Sequence, residues 1–292
     1  MVKANILFII NPISGGKKKT KIPALIDAYL DKSKFSPNFS FTEYIGHAAE
    51  IAEEAANKNF DIIIAVGGDG TINEVAPKVM QFNKILGVIP FGSGNGLSRF
   101  LKIPMNTKNA IQLINKLNVQ LIDTAKLNNR YFFNMAGMGF DAHISAVFAN
   151  NKSRGLKGYI EMGLKEMTSY KPQIYKLEID GIKYTRIAMM ISVANSAQYG
   201  NNVYISPKSS LTDGLLDVCI VKPFPLYKLP ILAYQMLRAT TDQSEMVEII
   251  RGKKIKITRS KDDSVHLDGE PFLMGEEIEM EVLPLSLNII TK

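Results

Sequence analysis

The first 117 residues alternate between short apolar runs and segments in which apolar residues recur at helical spacing. The runs predicted as strands are 2–10, 39–44, 62–66 and 85–90, and the segments predicted as helices are 20–30, 47–57 and 107–117. Strands that alternate with helices through short connections are typical of a doubly wound parallel sheet. We therefore predict an α/β domain over residues 1–120.

The pattern changes near residue 119, where strand-like runs follow one another directly. Turn pairs at Asn128-Asn129 and Asp180-Gly181 predict hairpins. The remaining strand-like runs are 119–127, 131–136, 174–179, 182–194, 215–221, 248–258 and 265–267, with helices predicted at 141–149, 157–168 and 226–238. We predict a mostly antiparallel second domain over residues 121–283, with a tail at 284–292 that returns to either domain. The short linker favours a ligand-binding cleft between the domains.

Residues 61–74 combine a strand, a glycine turn and the start of a helix in the N-terminal domain. A buried strand at 62–66 leads into glycines around Asp69, and Thr71 and Glu74 have the spacing of a capping box. Glycines expose backbone N–H groups, and a helix N-terminus attracts anions. A carboxylate among those groups would repel phosphate, so Asp69 makes sense as a ligand of Mg²⁺, of a water or of an acceptor hydroxyl.

Two further glycine-rich loops follow strands, at 11–16 and 92–96. Loops at the carboxyl ends of parallel strands line one crevice. Each loop alone could be an ordinary turn, but the three together predict a nucleotide site.

Composition sets the class of protein. With 46% hydrophobic and 22% charged residues, the 292-residue chain is that of a soluble globular protein. No apolar run reaches the ~18–20 residues of a membrane span and no signal peptide is evident, so we expect the cytoplasm. The single cysteine, Cys219, excludes a disulfide within the chain and we expect it in the core.

The net charge of +7 is spread along the chain, with clusters at 17–21 and 251–256. Such clusters form solvated faces, or bind lipid headgroups or nucleotide phosphates. Nucleic-acid binding is not favoured, because aromatic and basic residues do not interleave.

Seven motifs, in order, resemble the diacylglycerol kinase catalytic-domain superfamily, which includes bacterial soluble lipid kinases, sphingosine kinases and ceramide kinases. They are Asn11–Gly16, Gly67–Thr71, Gly92–Gly96, Gly137–Ala142, Asn195–Gly200, Ser206–Asp217 and Asp268–Glu270. The resemblance implies an ATP-dependent lipid kinase that uses Mg²⁺. It also implies an α/β nucleotide-binding domain, a β-sandwich-like second domain and an active site between them. The loop at 92–96 resembles the sphingosine kinase version, and the lipid itself cannot be read from the sequence.

The resemblance also assigns residues. The nucleotide site would comprise Asn11, Gly67, Gly68, Gly70, Thr71, Glu74, Gly92, Ser93, Gly94 and Asn95. Phosphoryl transfer to a hydroxyl needs a carboxylate that accepts its proton. We predict Glu270 as this base, with Asp268 as the metal or water partner and Asp69 as the competitor for the base role. An ordinary Asp-Gly turn is the alternative for Asp268.

Three further assignments come from the resemblance. Asp141 matches a position that holds the substrate head group in sphingosine kinases, although it could simply be a helix N-terminal carboxylate. Asp213, with Leu215 and Ser210, matches a structural Mg²⁺ site of bacterial relatives. Thr212 replaces a second acid there, and an Asp-Gly turn without an ion is the alternative. Asp123 could join a water network at this Asp213 site. The histidines, His47, His143 and His266, show no ligand spacing and receive no role.

We expect a lipid substrate, and transient contact with the inner face of a membrane through apolar residues around 141–168 and 224–238. A homodimer is a further possible assembly. The alternatives are an NAD kinase, which shares the glycine turn, and a non-catalytic lipid or nucleotide binder.

Overall fold

The computed structural model describes residues 3–16, 19–149 and 155–292, except for the side chains of 148–149 and 155–160. The chain divides into two compact units. Unit 1 comprises Met1–Ile122 and Leu285–Lys292, and unit 2 comprises Asp123–Pro284. None of the helices in the described part of the chain is long and apolar enough to cross a bilayer.

Unit 1 is a parallel sheet with helices. Its elements are β1 Ala4–Ile10, α1 Ile22–Tyr29, β2 Phe35–Phe41, α2 His47–Asn57, β3 Ile62–Gly67, α3 Asp69–Gln81, β4 Ile85–Pro90, α4 Gly96–Phe100 and α5 Thr107–Lys116. The strands lie in the order β2-β1-β3-β4, and every pair is parallel. All residues of β3 are buried, because this strand lies inside the sheet and is covered on both faces. The predicted α/β architecture is confirmed.

The predicted strand at 39–44 was wrong in its bounds. β2 runs from Phe35 to Phe41 and pairs with β1 at the edge of the sheet. Pro37 lies inside it. An edge strand tolerates proline because one side of its backbone needs no ladder hydrogen bonds. The sequence alone does not show that this strand lies at the edge, so Pro37 argued against a strand there.

Unit 2 is built mainly from antiparallel strands. The elements after α5 are β5 Val119–Leu127, β6 Arg130–Phe132, β7 Met135–Gly139, α6 Phe140–Ala149, α7 Gly155–Met167, β8 Gln173–Ile179, β9 Ile182–Ala188, β10 Met190–Ala194, β11 Gln198–Gly200, β12 Val203–Tyr204, β13 Leu216–Val221, α8 Leu229–Leu237, β14 Val247–Gly252, β15 Lys254–Thr258, β16 Asp263–Leu267, β17 Glu270–Met274 and β18 Glu277–Ile290. The strand β5 begins in unit 1 and β18 ends in it. One sheet has the order β18-β15-β8-β9, and the other has the order β14-β13-β10-β7-β16-β17. Buried apolar residues of both sheets form one core, as in a sandwich.

Three runs that we predicted as single strands, 131–136, 182–194 and 248–258, are each divided between the two sheets. The divisions fall at 133–134, at Met189 and at Lys253. At the first division, the Phe133 and Asn134 N–H groups donate to the Asp268 carboxylate instead of to a neighbouring strand. Both segments of each run contribute apolar side chains to the same core, so each run resembles a single strand in the sequence.

The C-terminal tail returns to unit 1 as the end of β18. Asn288 and Ile289 pair in parallel with Ile85 and Leu86 of β4. This tail therefore extends the parallel sheet beside the strand that leads into the loop at 92–96.

Candidate functional site

The three glycine loops of unit 1 pack directly against one another. A Cβ atom at Gly15 would lie 1.8 Å from the Phe91 carbonyl oxygen, and one at Gly68 would lie 2.9 Å from the Gly92 Cα. Gly15 also has a φ of 62°, which disfavours other residues. Glycine is therefore required for the close approach of these backbones, which brings the predicted loops together.

Side-chain hydrogen bonds fix the loops in this arrangement. Asn11 Nδ2 donates to Thr71 Oγ1 at 3.1 Å, and the Asn95 N–H donates to Asp69 Oδ2 at 2.9 Å. The Asn95 side chain also bonds the N–H and the carbonyl of Gly92, at 2.8 and 2.7 Å. Asn95 adopts a φ of 52°, which asparagine tolerates better than most residues. Asp69 thus joins the second loop to the third.

The predicted capping box at Thr71 and Glu74 is wrong. Helix α3 begins at Asp69 with Gly68 as its N-cap, so Thr71 lies inside the first turn. Glu74 Oε2 accepts the Ala48 N–H of α2 at 3.0 Å. Its carboxylate therefore satisfies the start of another helix, and we remove Glu74 from the nucleotide-site residues.

The start of α3 is suited to bind an anion. N–H groups in the first turn of a helix have no partner within that helix, and the helix dipole favours negative charge there. Gly70 and Thr71 lie in this turn. Gly67 precedes the turn, and the Thr71 hydroxyl leaves no space for a side chain at this position. In the third loop, Ser93 is exposed and the Gly94 carbonyl accepts from Arg99 Nε at 3.0 Å.

Sequence reasoning missed Lys19 as part of this site. Its side chain is buried, donates to the carbonyls of Pro12 and Ser14, and lies with Nζ 5.1 Å from the centre of the Phe91 ring. Burial lowers the pKa of this ammonium group. Lys19 therefore connects the first loop to the end of β4. The basic cluster at 17–21 was the available signal, although Lys17 and Lys18 lie outside the described residues.

In unit 2, Asp268 and Gly269 form the tight turn between β16 and β17, with φ values of 50° and 92°. The Asp268 carboxylate accepts three backbone N–H groups: Phe133 at 2.8 Å, Asn134 at 2.9 Å and Met135 at 2.7 Å. Both of its oxygens serve the fold in this way, so Asp268 anchors the turn, and the metal or water role predicted for it stays a prediction. Glu270, the first residue of β17, has an exposed side chain.

Asp268→Asn is expected to lower the free energy of unfolding by about 1–3 kcal/mol, because an amide cannot accept all three N–H groups and buried donors lose their partner. Urea unfolding monitored by circular dichroism measures this change. Asp262→Asn, at an exposed neighbouring position, is the control and should change stability by less than about 0.5 kcal/mol. Equal stability of the two variants would contradict the anchoring role.

Asp141 lies in the first turn of α6 and is buried against His266. His266 Nε2 lies 2.8 Å from Asp141 Oδ2, and the Ser192 hydroxyl donates to the same oxygen at 3.2 Å. A Cβ at Gly137 would lie 2.2 Å from His266 Nε2, so the pair occupies the space that glycine leaves. The Gly269 N–H lies 3.4 Å from His266 Nδ1, which places the pair behind the turn that carries Glu270.

The two groups shift each other's pKa. Burial alone would raise the pKa of Asp141, but the charge of His266 and hydrogen bonds bring it below its usual value. Burial alone would lower the pKa of His266, but the charge of Asp141 raises it. Sequence reasoning gave His266 no role, since nothing in its spacing indicated a partner 125 residues away.

Arg251 pairs with Asp213, the carboxylate of the predicted metal site. Its Nε donates to Asp217 Oδ1 at 2.7 Å, and its guanidinium pairs with Asp213 Oδ2. Asp213 Oδ1 accepts the Leu215 N–H at 3.1 Å, and the Ser210 hydroxyl contacts Thr212. The cation of this loop is therefore the guanidinium, and these residues do not fit a Mg²⁺ ion as arranged.

Asp123 supports the same loop through direct hydrogen bonds, and the water network predicted for it stays a prediction. Its Oδ2 accepts the Gly214 N–H at 2.7 Å, and its own N–H donates to the Leu211 carbonyl at 2.6 Å. Within the described residues, no cluster of three or more histidine, cysteine or acidic side chains has the arrangement of a metal site.

Arg251→Gln is expected to make the stability of the protein respond to divalent cations. In the wild type, changes of about tenfold in the concentration of Mg²⁺ or Ca²⁺ without nucleotide should leave the thermal midpoint almost unchanged, because the Arg251 guanidinium already pairs with both carboxylates. The variant should have a lower midpoint that rises when either cation is added. A fall in the wild-type midpoint on chelation would contradict this interpretation.

Two of the four basic residues in the cluster at 251–256, Arg251 and Lys256, pair with acidic residues of the same chain. Besides Arg251, Lys256 pairs with Glu277 at 2.9 Å and with Glu279 at 3.4 Å. This cluster is therefore less suited to bind anions than its composition indicated. Cys219 is buried in unit 2, as predicted.

The structure thus brings together two sets of predicted residues, each inside one unit. Asn11, Asp69, Thr71, Gly92 and Asn95 form the loop cluster of unit 1. In unit 2, Asp141 lies behind the turn of Asp268 and Glu270, and Asp213 belongs to a separate loop with Arg251.

Comparison with known proteins agrees with both units. The family model described as "Diacylglycerol kinase catalytic domain" matches residues 5–127, and "YegS C-terminal NAD kinase beta sandwich-like domain" matches residues 134–291. The chain is 30% identical over 288 residues to the diacylglycerol kinase of Bacillus subtilis (strain 168), covering 96% of this chain and 94% of the relative. A "Probable lipid kinase YegS-like" of Yersinia pestis (strain Pestoides F) is 30% identical over 246 residues, covering 82% and 81%.

The fold agrees as well. A crystal structure of a diacylglycerol kinase from Bacillus anthracis str. Sterne has a TM-score of 0.77 at 23% identity and covers 99% of this chain and 97% of that one. The matched domains and the Bacillus subtilis relative cover almost the whole chain, which therefore belongs to the diacylglycerol kinase catalytic-domain family of lipid kinases.

Proposed function

We propose that this protein transfers the γ-phosphoryl group of ATP to the hydroxyl of a diacylglycerol-like or sphingosine-like lipid. The observation that carries the proposal is the interlocked loop cluster at the start of α3, where glycine backbones approach closely and a helix N-terminus is available to phosphate. In the reaction, the lipid oxygen bonds to the γ-phosphorus, the bond to the ADP oxygen breaks, and a carboxylate takes the hydroxyl proton.

In this proposal, the loop cluster binds the phosphates of ATP. Asn11 and Thr71 are held together at 3.1 Å, and Asn95 is fixed by its contacts to Gly92, so the polar groups need little reorganisation when nucleotide binds. Mg²⁺ bound with ATP would neutralise charge on the phosphate oxygens, and Asp69 is the carboxylate of this cluster that would serve it.

Glu270 is the proposed general base. Its side chain is exposed at the start of β17, next to a turn that Asp268 fixes through three N–H groups. A rigid turn would hold the carboxylate in a constant direction. Asp69 stays the competing candidate, and contact of Asp141 with the lipid head group stays a prediction. We propose a cytoplasmic location with peripheral membrane contact.

NAD kinase activity is the second candidate, because the family description of residues 134–291 names an NAD kinase-like β-sandwich. An acceptor panel separates the candidates: ATP labelled at the γ-phosphate is incubated with diacylglycerol, monoacylglycerol, sphingosine, phosphatidylglycerol and NAD. The lipid kinase proposal predicts label on one or more lipids. Label on NAD alone would replace it, and label on nothing would favour a non-catalytic binder.

A further inference from the structure

Helix α8 and the turn before it have an unusual distribution of apolar residues. The helix sequence, Leu-Pro-Ile-Leu-Ala-Tyr-Gln-Met-Leu over 229–237, is apolar apart from the Gln235 amide and the Tyr234 hydroxyl. A helix that is apolar all round is normally enclosed by protein or lipid. Leu232 is buried in a core with residues such as Cys219 and Val247, and Met236 packs partly against it. This contact accounts for one side of the helix and leaves the other side uncovered.

The uncovered side is defined here as the α8 face. Its side chains are between 50% and 74% exposed: Leu226, Tyr227, Ile231, Tyr234 and Leu237. Tyr227, Ile231 and Tyr234 are spaced by four and then three residues, so they follow one side of a helical path. A group of large apolar side chains on one side of a short helix marks an interaction surface more often than scattered single residues do.

The charged residues of the segment that carries the α8 face have one sign. Lys222, Lys228 and Arg238 flank it, whereas the chain contains no aspartate or glutamate from 218 to 241. Asp242, the next acid, pairs with Lys208 at 2.8 Å. Basic side chains beside apolar and tyrosine residues complement an anionic bilayer, where the apolar groups enter the acyl boundary and the cations meet the headgroups. Tyrosine suits this boundary because its ring is apolar and its hydroxyl is polar.

We propose that the α8 face docks unit 2 onto membranes that contain anionic lipids, an inference that rests on the proposed lipid kinase function for its purpose. A second copy of the chain fits the face less well. A symmetric contact would bring the same three basic residues of each copy together without an acid of the segment to offset them.

The test compares two double variants for sedimentation with vesicles of phosphatidylserine and phosphatidylcholine, without ATP. Ile231→Ser with Leu237→Ser removes apolar surface from the α8 face. Ile182→Ser with Ile187→Ser is the matched control, since these isoleucines of β9 are 59% and 55% exposed. We expect the α8 variant to bind at least about tenfold more weakly than the wild type, and the control to bind as the wild type does.

Vesicle composition and salt test the charge component. Binding should weaken when phosphatidylserine is omitted or when ionic strength rises from about 0.1 M to 0.5 M, because screening shortens the reach of the basic residues. Wild-type vesicle binding by the α8 variant, with thermal midpoints equal to the wild type, would overturn the proposal. A dimer of the wild type in light scattering, together with a monomer of the α8 variant, would also overturn the proposal. The α8 face would then bind a second copy of the chain.

A short-chain, dispersed acceptor distinguishes docking from catalysis. The α8 variant should phosphorylate this acceptor at the wild-type rate and lose activity toward the same lipid in vesicles. If the wild type phosphorylates neither form but still binds vesicles through the α8 face, the proposed function fails while the docking surface stands. Equal loss of activity on both forms would contradict a role confined to docking.

Discussion

Glu270→Gln is expected to lower kcat for lipid phosphorylation by about 10²–10⁴-fold, the usual contribution of a general base. Glutamine keeps the size of the side chain but cannot accept the proton that leaves the lipid hydroxyl. The Asp268 anchor and the pairing of Glu270 with Leu267 involve no Glu270 carboxylate, so the fold should be unchanged. Steady-state kinetics at saturating ATP and acceptor, with circular dichroism of the same samples, measures both effects.

Two matched variants decide how a loss of activity is interpreted. Glu276→Gln removes an exposed carboxylate six positions away and should keep wild-type kcat. Asp69→Asn removes the competing carboxylate, and its effect should include a higher KM for ATP because Asp69 joins two loops of the proposed nucleotide site. Wild-type turnover by Glu270→Gln, together with a large loss of kcat in Asp69→Asn, would transfer the base role to Asp69.

Asp141→Ala is expected to lower the free energy of unfolding by about 3–5 kcal/mol, the usual cost of removing one partner of a buried ion pair. The His266 and Asp141 side chains are only 3% and 8% exposed, so His266 would be left buried without its counter-charge. Urea unfolding near pH 6 measures the loss. Asp27→Ala breaks an exposed pair with Lys32 and should cost about 1 kcal/mol or less.

The pH dependence of stability gives an independent check of the same pair. The raised pKa of His266 adds stability that is complete below its usual value of 6.5 and is lost as pH rises through the value in the folded protein. The lowered pKa of Asp141 adds stability that is complete above its usual value of 3.8 and is lost as pH falls further. The difference in stability between wild type and Asp141→Ala should therefore be largest between these two values and shrink above 6.5. A difference independent of pH would contradict an ion pair.

The architecture of unit 1 could be predicted because local patterns determine it. The buried run at 62–66 and the glycines after it predicted β3 and the loop that follows, and the close approach of Gly68 to Gly92 explains why those glycines are needed. The parallel direction of the strands follows from the α/β alternation, whereas their order, β2-β1-β3-β4, comes from the structure alone.

Other features depend on partners far away in the sequence. Thr71 and Glu74 have the spacing of a capping box, but the N-cap is Gly68, three residues before Thr71, and Glu74 bonds Ala48 of another helix. Likewise, Asp213 had the sequence of a cation site, while the cation is Arg251, 38 residues later in the chain. Neither partner could be chosen before the tertiary structure was known.

The division of strands between the sheets of unit 2 had the same cause. In the run at 248–258, the division follows Gly252, where a Cβ would lie 2.3 Å from Ile179 Cγ2. That contact marks a close approach between segments that the pattern of either one cannot reveal. His266 was overlooked for the same reason, since its importance lies in its burial against Asp141.

The most direct test of the central claim is phosphoryl transfer by the purified wild-type chain from γ-labelled ATP to diacylglycerol and to sphingosine in mixed micelles, with Glu270→Gln in parallel. A lipid kinase with Glu270 as its base should transfer label to the organic-extractable lipid and form ADP in equal amount. The Glu270→Gln variant should form at least about 10²-fold less product. The absence of labelled lipid from the wild type, with NAD phosphorylated under the same conditions, would contradict the central claim.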